Sequence, residues 1–209
     1  MRSMPDNCVD LVVTDPPYEI AVGGGGRLKE GRLYSGGQLD KIASGFDTDA
    51  VFWELERICK KLNLFCFCSN KQISKIMRWG EERGHSVTLL AWHKPNAIPF
   101  TNNTFKSDVE NIIYIREKGI KINGRSKLFT HNARKSKYGH PSEKPLEIIK
   151  KLVLTASSEG DLIFDPFMGS GTTAAACKEL NRNFIGCEIE AKYCEMAEKR
   201  LRETVKGLL

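Results

Sequence analysis

The sequence has few of the residues that metal sites and disulfide frameworks need. Its 209 residues include four histidines and seven cysteines, and no two cysteines stand in a Cys-x-x-Cys pair. An odd cysteine count without that spacing predicts neither a zinc site nor a disulfide scaffold. Cys66 and Cys68 alternate within an apolar run, as residues of a buried strand do. We therefore expect no bound metal and reduced, structural thiols.

Long apolar stretches are also missing. No segment approaches the roughly 20 unbroken apolar residues of a membrane span, and residues 1–10, MRSMPDNCVD, do not contain the apolar core of a signal peptide. We therefore expect a cytoplasmic protein that does not enter a membrane. The length suits a single domain spanning residues 1–209, because an α/β chain of this size can bury about 70% of its unfolded surface.

Basic residues exceed acidic ones only modestly, 32 to 26, but they are unevenly placed. Between residues 116 and 137 a run of lysines and arginines is opposed by Glu117 alone. The basic residues of this run are Arg116, Lys118, Lys121, Arg125, Lys127, Arg134, Lys135 and Lys137. Both a solvated face without function and a surface that contacts nucleic-acid phosphates fit such a run.

Apolar runs alternate with helical patterns along most of the chain. The runs that predict strands all have the pattern of parallel strands; they are residues 9–15, 62–69, 86–93, 109–117, 161–165 and 183–189. Helical spacing appears between most of them; one such helix would end at Gly84, and another would begin near Pro145. The pattern predicts an α/β fold, a Rossmann-like and mostly parallel sheet with helices on both faces.

Two segments do not fit this alternation. Residues 19–45 are too rich in glycine for the interior of a helix or strand, and residues 118–143 are polar, basic and without periodicity. Connections longer than about 12 to 15 residues in a compact domain are usually functional or disordered. We expect two mobile insertions beside the active edge of the sheet, with simple disorder as the rival interpretation of residues 19–45.

The stretch FDPFMGSGTT at residues 164–173 predicts a strand, a glycine turn and the start of a helix. The spacing Gly169-x-Gly171-x-x-Ala174 matches the dinucleotide-binding pattern, and Glu188 follows the next strand, where an acid can bind ribose hydroxyls. Nicotinamide cofactors and S-adenosylmethionine are both candidates. Asp165 favours S-adenosylmethionine, because a carboxylate there suits an ammonium group better than a pyrophosphate. A helix cap is the alternative role for Asp165.

The stretch TDPPY at residues 14–18 directly follows the apolar run VDLVV. Ligands of open parallel sheets lie beyond the carboxyl ends of the strands, and the two prolines remove N–H donors from this turn. What remains are acceptors: the Asp15 carboxylate and the carbonyls around Pro16. Two acceptors can hold the exocyclic amine of a nucleobase, and Tyr18 can stack on a base that has left its duplex. A turn in which Asp15 caps and Tyr18 packs is the structural alternative.

These motifs and their order resemble those of the amino-group DNA methyltransferases that use S-adenosylmethionine, specifically the β-group, in which the catalytic motif precedes the cofactor motif. The segments HPSEKPLEIIKKLV, starting at His140, and WHKPNAIPF at residues 92–100 also look like elements of that family. The resemblance implies a class I methyltransferase fold in permuted order. It also implies that residues 118–143 contain the target-recognition region and contact double-stranded DNA.

The resemblance assigns roles residue by residue. It implies a catalytic corner that engages the target base, formed by Asp15, Pro16, Pro17 and Tyr18. It implies a cofactor site for S-adenosylmethionine formed by Asp165, Phe167, Gly169, Ser170, Gly171, Thr172, Glu188 and Lys144. In this family an Asp at the first motif position is more often associated with N6 of adenine, and a Ser with N4 of cytosine. We therefore expect adenine-N6 methylation of DNA as part of a prokaryotic or phage-encoded restriction-modification system, and a homodimer.

Several alternatives stay open on the sequence alone. Cytosine-N4 methylation is one, and a truncated, inactive relative that only binds DNA or cofactor is another. The family usually carries a short strand ending in an acidic residue before the catalytic strand, and residue 1 follows that point, so we expect an incomplete adenine pocket. A dehydrogenase would leave the two prolines unexplained. Methyl transfer to a protein or RNA amine is a further possibility, although such corners usually begin with Asn.

Overall fold

The computed structural model describes residues 1–18, 46–98, 105–124, 126–133, 136–139 and 142–206. The predicted insertion at residues 19–45 lies outside this described part. Within it, the sheet consists of β1 Leu11–Thr14, β2 Asn63–Cys68, β3 Ser86–His93, β4 Val109–Arg116, β5 Leu128–Thr130, β6 Leu162–Asp165 and β7 Asn183–Gly186. The helices are α1 Thr48–Ile58, α2 Ile73–Glu82, α3 Leu146–Ala156, α4 Thr172–Glu179 and α5 Ala191–Glu203.

The seven strands form one sheet in the order β5-β3-β4-β2-β1-β6-β7. Neighbours pair in parallel from β2 through β1 and β6 to β7, and so do β3 and β5. This confirms the predicted mostly parallel sheet. The 109–117 run had the pattern of a parallel strand, and that expectation is wrong for β4, which is antiparallel to both β2 and β3.

Each face of the sheet is covered by helices. Alternate residues of β1 and β2 point to opposite faces, so that Val13 and Phe65 pack with α3 and α4, whereas Val12 and Leu64 pack with α1 and α2. All six residues of β2 are buried, as a strand with covered faces requires. The helix ends follow local signals: Gly84 has the positive φ of a helix terminus, and Pro145 precedes the first turn of α3.

The segment at residues 118–143 is longer than an ordinary connection and crosses from one edge of the sheet to the other. At its start, the Glu117 and Asn123 amides donate to carbonyls of Leu62 and Thr155, at the edge where β2 begins. Further along, β5 pairs with β3, and the Trp92 indole donates to the His131 carbonyl at 2.8 Å. The expectation that this whole segment lies beside the active edge is therefore wrong for residues 118–124.

Candidate active site

The sheet brings the two predicted strand ends together. β1 and β6 are neighbouring parallel strands, so Asp15, which follows β1, and Asp165, which ends β6, lie at the same edge. The Thr14 hydroxyl donates to Asp165 Oδ1 at 2.9 Å and links the two ends directly. The rule that carboxyl ends of parallel strands converge predicted this juxtaposition, although the two motifs stand far apart in the sequence.

The turn after β1 is held from α2. Gln72, which is 1% exposed, precedes α2 and donates from its side-chain amide to the Pro17 carbonyl at 3.1 Å. Pro16 is buried, and the Tyr18 ring is partly buried against the core under α3. The proline turn of the TDPPY corner is thus hydrogen-bonded to the segment before α2.

Lys144 lies against this corner. Its ammonium donates to Asp15 Oδ2 at 2.5 Å and stands 5.2 Å from the centroid of the Tyr18 ring. It also lies 3.5 Å from Glu110 Oε2, and Lys94 donates to the other Glu110 oxygen at 3.2 Å. The sequence placed Lys144 among the cofactor residues; the structure shows its partners to be the Asp15 carboxylate and Glu110.

At Asp15 and Lys144, burial and the charge of the ion-pair partner shift the pKa in opposite directions. Burial raises the pKa of Asp15, and the neighbouring Lys144 ammonium partly offsets that rise. Burial alone would lower the pKa of Lys144, but Asp15 and Glu110 outweigh it and raise that pKa. Burial and the Asp15 charge raise the pKa of Tyr18 well above its ordinary value, so the ring carries a neutral hydroxyl.

Asp165 organises the turn that leads into α4. Only 3% exposed, it accepts hydrogen bonds from the Thr14 hydroxyl, the Thr173 hydroxyl at 2.8 Å and the Phe167 amide at 3.1 Å. Burial raises the pKa of Asp165 to about 7, while those three hydrogen bonds act to lower it. The visible role of Asp165 is to fix this turn, and its pairing with an ammonium group stays a prediction.

The glycine turn has the conformation that its sequence predicts. Gly169 and Gly171 have φ values of +51° and +75°, which favour glycine, and α4 begins at Thr172. A Cβ atom on Gly171 would lie 2.8 Å from Ala197 Cβ, so the missing side chain lets α5 pack directly on the turn. Ser170 is buried beside it.

Two of the predicted cofactor residues also have protein partners. Thr172 accepts a hydrogen bond from Arg200 of α5 at 2.5 Å, and Phe167 packs its ring edge-on against Phe46 with centroids 5.7 Å apart. The direction of Thr172 toward α5 was not predicted. Arg200, 4% exposed and also ion-paired with Glu143, is a buried charge that no sequence motif indicated.

Glu188 connects β7 to the glycine turn. It follows β7 by two positions, and its carboxylate accepts from the Gly169 amide at 3.0 Å and from the amides of Ile189 and Glu190 at 2.8 and 2.9 Å. The half-buried acid therefore lies beside the turn, as the spacing predicted. Its contact with ribose hydroxyls stays a prediction.

Glu110 and Lys94 are the site residues that the sequence analysis missed. An antiparallel strand begins at the edge where its parallel neighbours end, so the reversed direction of β4 brings Glu110 to the active edge. The sequence did contain a signal for Glu110, a carboxylate at the start of an otherwise apolar run. Because that run was predicted to be a parallel strand, Glu110 was expected at the opposite edge of the sheet.

Among the described residues, no group of three or more His, Cys, Asp or Glu side chains could hold a metal ion. No helix within those ranges is long and apolar enough to cross a membrane.

Comparison with known proteins gives consistent matches. The sequence model of a family described as DNA methylase matches residues 9–199. The type II methyltransferase M.HinfI from Haemophilus influenzae is 29% identical over 97% of the chain, which spans 66% of that protein's length. The type II methyltransferase M2.DpnII from Streptococcus pneumoniae is 27% identical over 96% of the chain and 85% of its own length.

Solved structures share the fold. The M1.HpyAVI-SAM complex superposes with a TM-score of 0.70 at 29% identity and covers 93% of this chain and 89% of that one. The cytosine-N4-specific PvuII DNA methyltransferase superposes with a TM-score of 0.72 at 16% identity, covering 95% and 81% of the two chains. At that identity the second likeness shows the fold alone.

Proposed function

This chain belongs to the DNA methylase family, and from that premise we propose that it transfers a methyl group from S-adenosylmethionine to N6 of an adenine in double-stranded DNA. One observation carries the proposal: a carboxylate with one buried oxygen that Lys144 does not occupy follows β1, directly beside the glycine turn after β6. The family match leaves no room for the dehydrogenase interpretation.

The donor set around the glycine turn fits S-adenosylmethionine. Asp165 and Glu188 are carboxylates at the ends of neighbouring strands, which suits hydroxyl and ammonium groups and disfavours a pyrophosphate. Gly169, Ser170 and Gly171 present little side-chain bulk there, whereas Phe167 and Thr172 border the turn. When bound, the cofactor supplies a methyl group on a sulfonium. The solved complex of M1.HpyAVI with SAM supports this assignment.

The chain's own residues would act on the amine that receives the methyl group. The lone pair of the amine nitrogen forms a new N–C bond with the methyl group, while the electrons of the C–S bond stay on sulfur. The nitrogen then carries one proton too many. Asp15 Oδ1 and the Pro16 carbonyl would accept the two N–H bonds and stabilise the developing charge, an effect of roughly 3 to 4 kcal/mol per well-placed partner. Asp15 would then take the proton, and Tyr18 would stack on the extruded base.

The choice of adenine rests on Asp15 at the first motif position. The M1.HpyAVI match supports the fold and the cofactor, and cytosine N4 is the alternative substrate atom. We further propose that the protein acts in the cytoplasm of a prokaryotic cell as part of a restriction-modification pair, as the names of its bacterial type II relatives suggest, and that it forms a homodimer.

A labelling experiment tests the reaction. The protein and S-adenosylmethionine carrying a labelled methyl group are incubated in three separate samples with duplex DNA, RNA or a protein mixture. Each product is then digested to nucleosides or amino acids. We expect label in N6-methyladenine from DNA. Label in N4-methylcytosine would change the base, label in RNA or protein would change the substrate class, and no label in any sample would favour an inactive relative.

The variant Asp15→Ala tests the catalytic assignment. Because the variant loses the acceptor for the amine, we expect methyl transfer to fall by about 100-fold or more, while the affinity for S-adenosylmethionine stays within a factor of about two. Calorimetry measures that affinity, and Asp49→Ala, at an exposed position in the first turn of α1, is the control. Undiminished transfer by Asp15→Ala would show that the carboxylate has no part in the reaction.

A further inference from the structure

Four charged side chains alternate in sign across the catalytic corner. Lys94 donates to Glu110 Oε1 at 3.2 Å, Glu110 Oε2 lies 3.5 Å from the Lys144 ammonium, and Lys144 donates to Asp15 Oδ2 at 2.5 Å. The four side chains are 8 to 24% exposed, so solvent screens their interactions only weakly. We refer to Lys94, Glu110, Lys144 and Asp15 as the charge quartet.

The two oxygens of Asp15 have different surroundings. Oδ2 is held by Lys144, whereas Oδ1 is buried and makes no hydrogen bond of ordinary geometry to any described residue, although the Tyr18 hydroxyl lies near it. A carboxylate oxygen can accept more than one hydrogen bond, so the neighbouring Tyr18 hydroxyl leaves Oδ1 able to accept from a further donor. Oδ1 is therefore the oxygen that can receive an amine N–H.

If the Lys144 ammonium interacted with Asp15 and no other carboxylate, it would make the Asp15 carboxylate a weaker acceptor. Lys144 attracts electron density on the carboxylate and lowers its affinity for a proton, which is the opposite of what an amine acceptor needs. Glu110 counteracts this effect, because its negative charge lies on the other side of Lys144 and raises the proton affinity of Asp15. Lys94 in turn neutralises and anchors Glu110.

We propose that Glu110 is a positioning residue for methyl transfer: it shares the charge of Lys144, so that Asp15 Oδ1 stays a strong acceptor for the amine. This inference rests on the proposed function. Glu110 does not touch the substrate in this scheme and acts through Lys144. Among the described residues, the titratable groups that interact with Asp15 are Lys144 before α3, Glu110 on β4, Tyr18 on the same turn, Cys66 and Cys68 on β2, and Asp165 on β6.

The test compares Glu110→Gln with two matched variants. Gln keeps the shape and an oxygen for Lys144 but removes the charge, whereas Glu110→Asp keeps the charge. Glu179→Gln is the control, because Glu179 pairs with Lys150 at 2.8 Å with a similar side-chain exposure, 28% against 24% for Glu110, away from the corner. For each variant we would measure kcat and KM against pH, and the pKa of Asp15 by carboxyl carbon-13 NMR.

For Glu110→Gln we expect kcat near neutral pH to fall by roughly three- to tenfold, with KM values within a factor of about two, because a weaker Asp15 acceptor stabilises the charge developing on the amine less well. Losing a negative neighbour lowers the pKa of Asp15, so the acid limb of the kcat profile moves to lower pH. Glu110→Asp should restore the wild-type limb, and Glu179→Gln should leave kcat and the limb unchanged.

The NMR titration separates this inference from the proposed function, since it needs no turnover. A wild-type protein that methylates no DNA refutes the proposed function, whereas a lowered pKa of Asp15 in Glu110→Gln would still support the charge sharing. An Asp15 pKa that is unchanged or raised in Glu110→Gln overturns the inference, whatever the activity. So does a Glu110→Asp variant that behaves like Glu110→Gln.

Discussion

The Asp165 carboxyl group is buried at the turn after β6, and this burial makes it a pH-dependent contributor to stability. Its pKa is raised from the ordinary 3.8 to about 7. Between those pH values the folded protein holds a proton that the unfolded chain releases, so the folded state binds more protons. Stability from this group is therefore highest below about pH 4 and falls as the pH rises toward 7.

The variant Asp165→Asn should remove that dependence. An uncharged side chain of the same shape avoids the burial of a charge, so the unfolding free energy of the wild type relative to the variant should fall by roughly 2 to 4 kcal/mol between pH 4 and pH 8. Urea denaturation at several pH values measures it. Asp161→Asn is the control, because that carboxylate accepts its amide hydrogen bond at the surface. A wild-type-to-variant difference that does not vary with pH would contradict the assignment.

At the scale of elements, α5 joins segments that are distant in sequence. Arg200 donates to Thr172 at the start of α4, forms an ion pair with Glu143 before α3 and lies 4.4 Å from the centroid of the Tyr138 ring. Glu203, one turn later, accepts from the Tyr138 hydroxyl at 2.9 Å. The helix thus connects the glycine turn to the candidate recognition segment.

Removing this connection should be costly. Arg200→Met leaves Glu143 without its buried partner, so we expect the unfolding free energy to fall by about 3 to 5 kcal/mol. Arg202→Met, on the same helix but with its side chain 71% exposed, should change it by no more than about 0.5 kcal/mol. Chemical denaturation of both variants gives the comparison. Equal, small effects would show that Arg200 is no more than a surface charge.

The elements also show what the sequence can and cannot predict. Strands β1, β2, β3, β6 and β7 were predictable because their apolar runs are bounded by turn residues, and the convergence of Asp15, Asp165 and Glu188 followed from parallel pairing. The direction of β4 was not predictable, because an apolar strand that is buried on both faces has the same sequence pattern whether it pairs in parallel or antiparallel. The short strand β5 was not predicted, because three residues, Leu-Phe-Thr, are too few to show an alternating pattern, and its position depends on pairing with the edge of β3. The contact of Lys144 with Asp15 depends on packing between residues 129 positions apart.

At the scale of the whole molecule, the basic segment separates into two groups of lysines. Lys118 and Lys121 are exposed on the stretch beside the start of β2, whereas Lys127 is exposed immediately before β5 and Lys137 on the stretch after it. Lys137 contacts Glu203 of α5 at 3.0 Å, and Lys127 precedes the strand that pairs with the carboxyl-terminal end of β3, so both lie nearer the active edge than Lys118 and Lys121.

This separation predicts different salt dependences. If Lys127 and Lys137 contact phosphates, the double variant Lys127→Gln/Lys137→Gln should weaken DNA binding and reduce the slope of log affinity against log salt by about 1 to 2. Lys118→Gln/Lys121→Gln makes the same charge change and should leave both nearly unchanged. Fluorescence anisotropy with duplex DNA at several salt concentrations measures the slopes. Similar slopes for the two variants would argue against a localised DNA surface.

The pairing of β1 with β6 has a further consequence for the integrity of the enzyme. In the proposed reaction, the acceptor for the amine precedes residue 118, whereas the loop for the methyl donor follows residue 143. A protease cut within residues 118–143 would yield two polypeptides that each carry one reactant's site and meet through the pairing of β1 with β6 and the cores on both sides of it. Turnover by such a nicked protein would depend on fragment reassembly and would fade on dilution.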